Sequence, residues 1–148
     1  MGLFDAISSS ASGMQAERVR MDVVSENLAN AETTKAADGQ PYRRKEVVFQ
    51  EAGSSGTPSF ASILSGISDD APTHGVKVSG IVEDQSALKR IYDPGHPDAD
   101  KDGYVTMPNV NSVTEMTDLI SASRSYEANV TAMQTAKTMF TKTLDILR

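Results

Sequence analysis

Two long heptad rows, one near each end of the chain, leave few folds open to it. From Ile7, apolar side chains recur every seven residues at Met14, Met21 and Leu28, with Leu3, Val24 and Ala31 on the adjacent row. Towards the other end Leu119, Tyr126, Met133, Phe140 and Leu147 repeat the spacing, with Met116, Val130 and Leu144 as companions. Rows of this period place one apolar seam along a helix. Each seam has lapses, at Ser10 and Glu17 in the first and at Ser123 and Lys137 in the second. No proline interrupts either region, and a first helix of roughly 28 residues is about 42 Å long. Its end is predicted within "NAETTKAADGQP", where Thr33 and Thr34 disfavour helix and Asp38-Gly39 offers a turn. The second helix is predicted to start at Ser112, which forms a capping box with Glu115.

At 148 residues the chain has the size of one domain. Its 39% hydrophobic and 5% aromatic content argues against a dense core, and its many small residues suit long helices packed closely. The net charge of −6 argues against nucleic acid as the main partner. Cysteine is absent, which excludes disulfides and thiolate metal sites. No apolar run reaches the roughly 18–20 residues of a membrane span. The first basic residue is Arg18, and Ser8, Ser9 and Ser10 break any apolar run, so export is expected without a cleaved signal peptide.

Composition divides the chain into five segments. Residues 1–34 hold the first helix, and 35–50 a connector with a short strand in "YRRKEVVFQ". Residues 51–75 are rich in Gly, Ser and Pro and read as a flexible insert, whose "FASIL" is a candidate short helix or docking patch. Within 76–111, "VKVSGIV" and "ALKRIYD" flank the polar turn Glu83–Ser86 and read as a β-hairpin. Residues 112–148 hold the second helix. The expected fold class is α+β and mainly α, with long loops between the helices. An isolated hairpin is marginal in water, so this one is expected to pack on another element.

The stretch "DPGHPDADKDGYV" contains Asp98-x-Asp100-x-Asp102-Gly103, the opening of an EF-hand calcium loop. The twelfth position of that loop needs a bidentate Glu and is Asn109 here. Pro94 and Pro97 forbid a regular entering helix, and Pro108 disfavours the exiting one. A rigid connector explains more: Pro94-Gly95 fits a type II turn, Asp98 can cap its own backbone, and Asp102-Gly103 makes a further turn. Elsewhere "RRK" (43–45) reads as a solvated strand edge rather than a nucleic-acid patch. His74 and His96 lie in different loops. The methionines at helical spacing read as packing residues. No catalytic residue, metal ligand or cofactor site is assigned.

Two stretches carry more than generic pattern. "SENLANAETT" contains Asn27, Leu28, Ala29 and Asn30, and resembles the signature that ends the N-terminal helix of flagellar rod and hook axial proteins. "IYDPGHPDADKDGYVTMPNVN", followed by "EMTDLISASRSYEANVTAMQTAK", is similar to the proximal-rod members of that family. Its motif residues here are Asp93, Pro94, His96, Pro97, Asp98, Asp100, Gly103 and Tyr104. The resemblance implies a structural subunit of the flagellar basal-body rod, which spans the periplasm, transmits torque and encloses the export channel. It implies export through the flagellar type III apparatus. It also implies terminal helices paired as an antiparallel coiled-coil-like unit, with Ile7, Met14, Met21 and Leu28 facing Leu119, Tyr126, Met133 and Phe140, and Leu147 continuing the row. The implied partners are other rod subunits, neighbouring basal-body proteins and the export apparatus, in a lattice of non-closing contacts. Val19, Val23, Val113 and Ile120 lie off the seams and are expected to meet neighbouring subunits. No nucleic acid, membrane span or cofactor is implied. Two alternatives compete: an EF-hand-like calcium module using Asp98, Asp100 and Asp102, and another type III-exported coiled-coil structural protein. Asn109 speaks against the first and the "DPGHPDAD" connector against the second.

Overall fold

The computed structural model describes residues 3–36, 39–52 and 75–146. Helix α1 spans Leu3–Ala29 and α2 spans Ser112–Ile146. Between them lie four strands: β1 (Lys45–Glu51), β2 (Val76–Glu83), β3 (Lys89–Tyr92) and β4 (Tyr104–Met107). They form two antiparallel two-stranded sheets, β1–β2 and β3–β4, which makes the fold α+β.

Local chemistry sets the helix ends. At the end of α1 the Asn30 amide donates to the carbonyl of Glu26 (2.9 Å), and the Thr33 N–H turns back to Asn30 O (3.1 Å). The start of α2 differs from the expected capping box. Asn111, not Ser112, is the cap: its Oδ1 accepts from the Val113 N–H (3.1 Å) and its carbonyl from the Glu115 N–H (3.0 Å). The Glu115 side chain is fully buried and turned to partners inside the molecule, so it cannot reach back to a cap. Along α2, Thr117, Thr131, Thr135, Thr138 and Thr143 donate to carbonyls one turn earlier, so these hydroxyls do not compete for the helix's own N–H groups.

The hairpin expected within residues 76–93 does not form. β2 pairs with β1, from Lys45↔Glu83 to Glu51↔Val76, with an irregularity at Val48/Phe49. β3 pairs with β4, from Lys89↔Met107 to Tyr92↔Tyr104. The reason lies in residues 84–88. The Asp84 N–H donates to Arg44 O (2.8 Å), and the Asp84 carbonyl accepts from Asn109 (3.1 Å) and Arg43 (3.3 Å). A segment pinned in this way cannot close a tight reversing turn. The "YVTM" stretch that follows the Asp102-Gly103 turn is the return strand β4.

Contacts between α1 and α2 run from Phe4–Phe140 (centroids 5.9 Å, edge-on) through Arg20–Asp118 (3.5 Å) to Asn27–Glu115 (3.0 Å). A Cβ on Gly13 would lie 2.9 Å from the Asn129 side-chain amide, so the bare glycine is what makes room for Asn129 there. The inward row of α2 is Glu115, Leu119, Ala122, Tyr126, Asn129, Met133 and Ala136, alternating by four and three residues, each buried or half-buried. The companion row is thus Glu115, Ala122, Asn129 and Ala136; Met116 and Leu144 are 54% and 51% exposed. On α1 the buried residues are Ala16, Val23, Val24 and Asn27. Small side chains take the innermost places because the helices approach too closely for large ones. Val23 is buried within the subunit, contrary to its expected place at a neighbour. Val105, Pro108 and Val110 complete the core where β4 leads into α2.

Candidate functional site

A polar clamp joins the end of α1, the start of β1 and the start of α2. Asn27 is fully buried and uses all its hydrogen-bonding capacity. Its Oδ1 accepts from the Tyr42 hydroxyl (2.8 Å) and the Lys45 N–H (2.9 Å). Its Nδ2 donates to Lys45 O (2.9 Å) and to Glu115 Oε2 (3.0 Å). The other oxygen of Glu115 accepts from Arg44 Nε at 2.6 Å. Arg44 also pairs with Glu46 and lies 3.6 Å from Asp118, while its N–H donates to Asn109 Oδ1 (2.8 Å). Asn109 Nδ2 reaches Asp84 O (3.1 Å) and Ser86 Oγ (2.9 Å), which ties the β2–β3 link into the same cluster.

The charges respond to this packing. Burial, reinforced by Glu26, Glu115 and Glu83, pushes the Tyr42 phenol up to about 12. Burial works against the Arg44 charge, but the hydrogen bond and attraction of Glu115, with help from Glu46, outweigh it and raise its pKa. Arg44 is therefore not the solvated strand-edge residue expected from "RRK": its side chain is only 20% exposed.

The connector motif is a set of turns. The His96 N–H closes a turn on Asp93 O (3.3 Å), and Gly95 lacks the positive φ of a type II turn, so that expectation fails. Gly103 has φ +77°, and its N–H closes a second turn on Asp100 O (2.8 Å). Asp93 Oδ1 accepts from the Gly95 N–H (3.1 Å). His96 Nδ1 accepts from the Asp98 N–H (3.1 Å). Asp98 does not cap its own backbone; it accepts from the Thr34 hydroxyl (2.8 Å) and lies 3.9 Å from Lys35 Nζ, fastening the loop to the exit of α1. Pro94 and Pro97 are exposed, and Tyr104 packs edge-on against Tyr92 (5.3 Å) under the Arg90 guanidinium (5.0 Å). Among the described residues no three His, Cys, Asp or Glu side chains are placed to share a metal ion.

The seam residues are spread along the helices. Ile7, Met14, Met21, Leu28, Leu119, Tyr126 and Met133 are half-buried, and Phe140 is 37% exposed against Phe4. Ala29 is the exposed last residue of α1, and Leu147 lies outside the described residues. So do Asp38 and most of the 51–75 insert with its "FASIL" stretch. Sequence reading missed Tyr42, Arg44, Asn109 and the inward role of Glu115. One signal was available: Asn27 and Glu115 both sit in phase with small apolar neighbours, where a polar residue needs a buried partner.

Residues 7–36 match the family model described as flagella basal body rod protein, and residues 101–146 match flagellar basal body rod FlgEFG protein C-terminal. The flagellar basal-body rod protein FlgC of Bacillus subtilis is 50% identical over 150 residues, covering 99% of each chain. That of Borreliella burgdorferi is 45% identical over 153 residues, covering 100% of this chain and 99% of its own. The Escherichia coli O6:H1 protein is 43% identical over 146 residues, covering 99% and 98%. The chain belongs to the FlgC family of flagellar basal-body rod proteins. In this FlgC-family chain the two matched stretches supply the two helical arms of the clamp, Asn27 from one and Asn109 and Glu115 from the other. Tyr42 and Arg44 come from the connector between them.

Proposed function

We propose that the chain is a structural subunit of the flagellar rod that assembles through its terminal helices into the drive shaft around the export channel, at its proximal end. The observation that carries this is the nearly full-length likeness, at 40–50% identity, to proteins described as flagellar basal-body rod proteins. Other rod and basal-body proteins are its partners. In this reading the chain passes unfolded through the flagellar type III apparatus without a cleaved signal and takes its place in the periplasm; its role is mechanical, with no catalytic step. Residues 1–34 and 112–148 form the assembling helical part, while 35–50 and 76–111 brace it and 51–75 is an appendage.

The helix arrangement supports the reading. Contacts at Phe4–Phe140 and Asn27–Glu115 join opposite ends in sequence, as an antiparallel coiled-coil-like pair requires. Val113, Met116 and Ile120 are 73%, 54% and 54% exposed at spacings of three and four, an apolar row that one partner helix leaves open. The half-buried seam, including Met21 and Met133, then becomes fully covered only in the assembled rod. Replacing Met21 or Met133 by Asp tests this, since a carboxylate is tolerated at a half-exposed position but not at one sealed from water. Each variant is expected to appear outside the cytoplasm but not in purified basal bodies. Incorporation at wild-type level would overturn the assembly role given to these helices.

A further inference from the structure

We infer that Asn27, Arg44 and Glu115 act as a register lock, selecting which turn of α1 lies against which turn of α2. The lock is a property of the isolated chain and stands apart from the assembly role proposed above. The need for it follows from the apolar contacts. The innermost residues near the clamp are Ala16, Val23, Val24 and Ala122, and Gly13 faces Asn129. Together with the half-buried Met21, Leu28, Leu119 and Tyr126 they recur every three or four positions, so sliding by one turn lays apolar side chains against apolar ones again. The polar contacts are not forgiving in that way. If α2 moved by one turn, Leu119 or Asn111 would replace Glu115 opposite Asn27. Leu119 offers no acceptor to Asn27 Nδ2 or Arg44 Nε, and Asn111 is already occupied in capping α2. A move of two turns brings Ala122 or Pro108, with the same result. Each alternative register therefore strands buried polar groups, which is how a single polar pair specifies alignment without being the main source of stability. Asn27 extends the lock to the strands, because it pairs with both the N–H and the carbonyl of Lys45 at the start of β1.

The chain contains no cysteine, so disulfide trapping reads the register directly. Gly13→Cys with Asn129→Cys reports the alignment described here, where the two residues touch. Gly13→Cys with Ser125→Cys or Met133→Cys reports slips of one turn, because those positions lie too far apart to bridge in the native register. With Glu115 intact, only the first pair is expected to oxidise. In a chain carrying Glu115→Leu the slipped disulfides are expected to rise by about ten-fold or more. Glu115→Gln, which keeps an oxygen for Asn27 but turns a donor towards Arg44, should bring the slipped disulfides part of the way back down from the Leu level. If Glu115→Leu unfolds the chain, Arg44→Met with Glu115→Leu removes both charges and permits the same comparison. Slipped disulfides as rare without the carboxylate as with it would overturn the lock, as would equal slipping in the Gln and Leu chains.

Discussion

At the scale of single residues, a carboxylate has been placed where an apolar side chain would pack more cheaply. Glu115 is tolerated because Asn27 and Arg44 satisfy both its oxygens. Without Glu115, Arg44 keeps Glu46 and Asp118 and Asn27 Nδ2 keeps Lys45 O, but each loses one buried acceptor. Glu115→Ala is therefore expected to cost about 1–3 kcal/mol in urea unfolding. Glu115→Gln should cost clearly less. Tyr42 adds a pH dependence of known sign. Its folded-state pKa of about 12 lies above its ordinary value of 10.0, so the folded state favours the neutral phenol. That contribution is fully present below pH 10 and is lost as the pH rises through about 12. Thermal melts across this window should fall less steeply for Tyr42→Phe than for the native chain. Parallel curves would remove Tyr42 from the account.

At the scale of elements, two positions separate the observed geometry from plausible substitutes for it. Asn111, not Ser112, caps α2. Asn111→Ala is expected to lower stability by about 1 kcal/mol in denaturant titration, and Ser112→Ala by much less. The reverse order would reinstate the capping box. In the β3–β4 hairpin, Gly103 holds φ +77°, and a Cβ there would lie 2.9 Å from the Tyr92 ring and 3.3 Å from Pro94. Gly103→Ala thus combines backbone strain with a clash, at about 1–3 kcal/mol. The damage should be local, seen as faster amide exchange in residues 89–107 with α1 little changed. The same hairpin carries Asp98, Asp100 and Asp102, which are not placed to share one ion. Asp98 is engaged by Thr34 and Lys35, and the Asp100 carbonyl by the Gly103 N–H. Calorimetric titration with calcium is expected to show no site tighter than millimolar.

At the scale of the whole molecule, the arrangement is a long pair of helices braced at one end. The clamp and the buried valines of β4 and its exit gather around the end of α1 and the start of α2, while the β1–β2 sheet runs from there back along α1 to Ser12. Towards the other end Phe4, Met139 and Leu144 are 72%, 57% and 51% exposed. Limited proteolysis of the isolated subunit should accordingly release fragments from residues 1–12 and 137–148 first, and spare residues 76–111 longest. The insert should be separable from this frame. Its two flanks are already joined, with the Ala52 N–H on Gly75 O (2.9 Å) and the Val76 N–H on Ser12 Oγ (3.1 Å). Deleting residues 54–70 is therefore expected to change the melting temperature by only a few degrees, because shortening a loop between fixed ends costs little entropy. A loss of cooperative unfolding would show that the segment belongs to the core.

What the chain reveals without its structure is what depends on near neighbours. Helix hydrogen bonds join residues four apart, so the heptad rows, lapses included, were enough to place two long helices and the start of α2 at Ser112, while α1 ends at Ala29, just before the stretch expected to stop it. Likewise Gly103 announced its turn, and the Asn27–Asn30 motif together with the connector pointed to the rod family. Partners distant in sequence could not be read in that way. A strand's alternation says that it pairs but not with which other strand, and β2 found β1 across the insert while β3 found β4 across the connector. Nor do two adjacent rows of comparable apolarity say which turns inward. On α2 that choice fell to the row of Ala122 and Ala136, because close helices admit small side chains and because Glu115 on that row had Asn27 and Arg44 to meet it. Arg44 and Glu115 are 71 residues apart, and only the folded chain brings guanidinium and carboxylate to 2.6 Å.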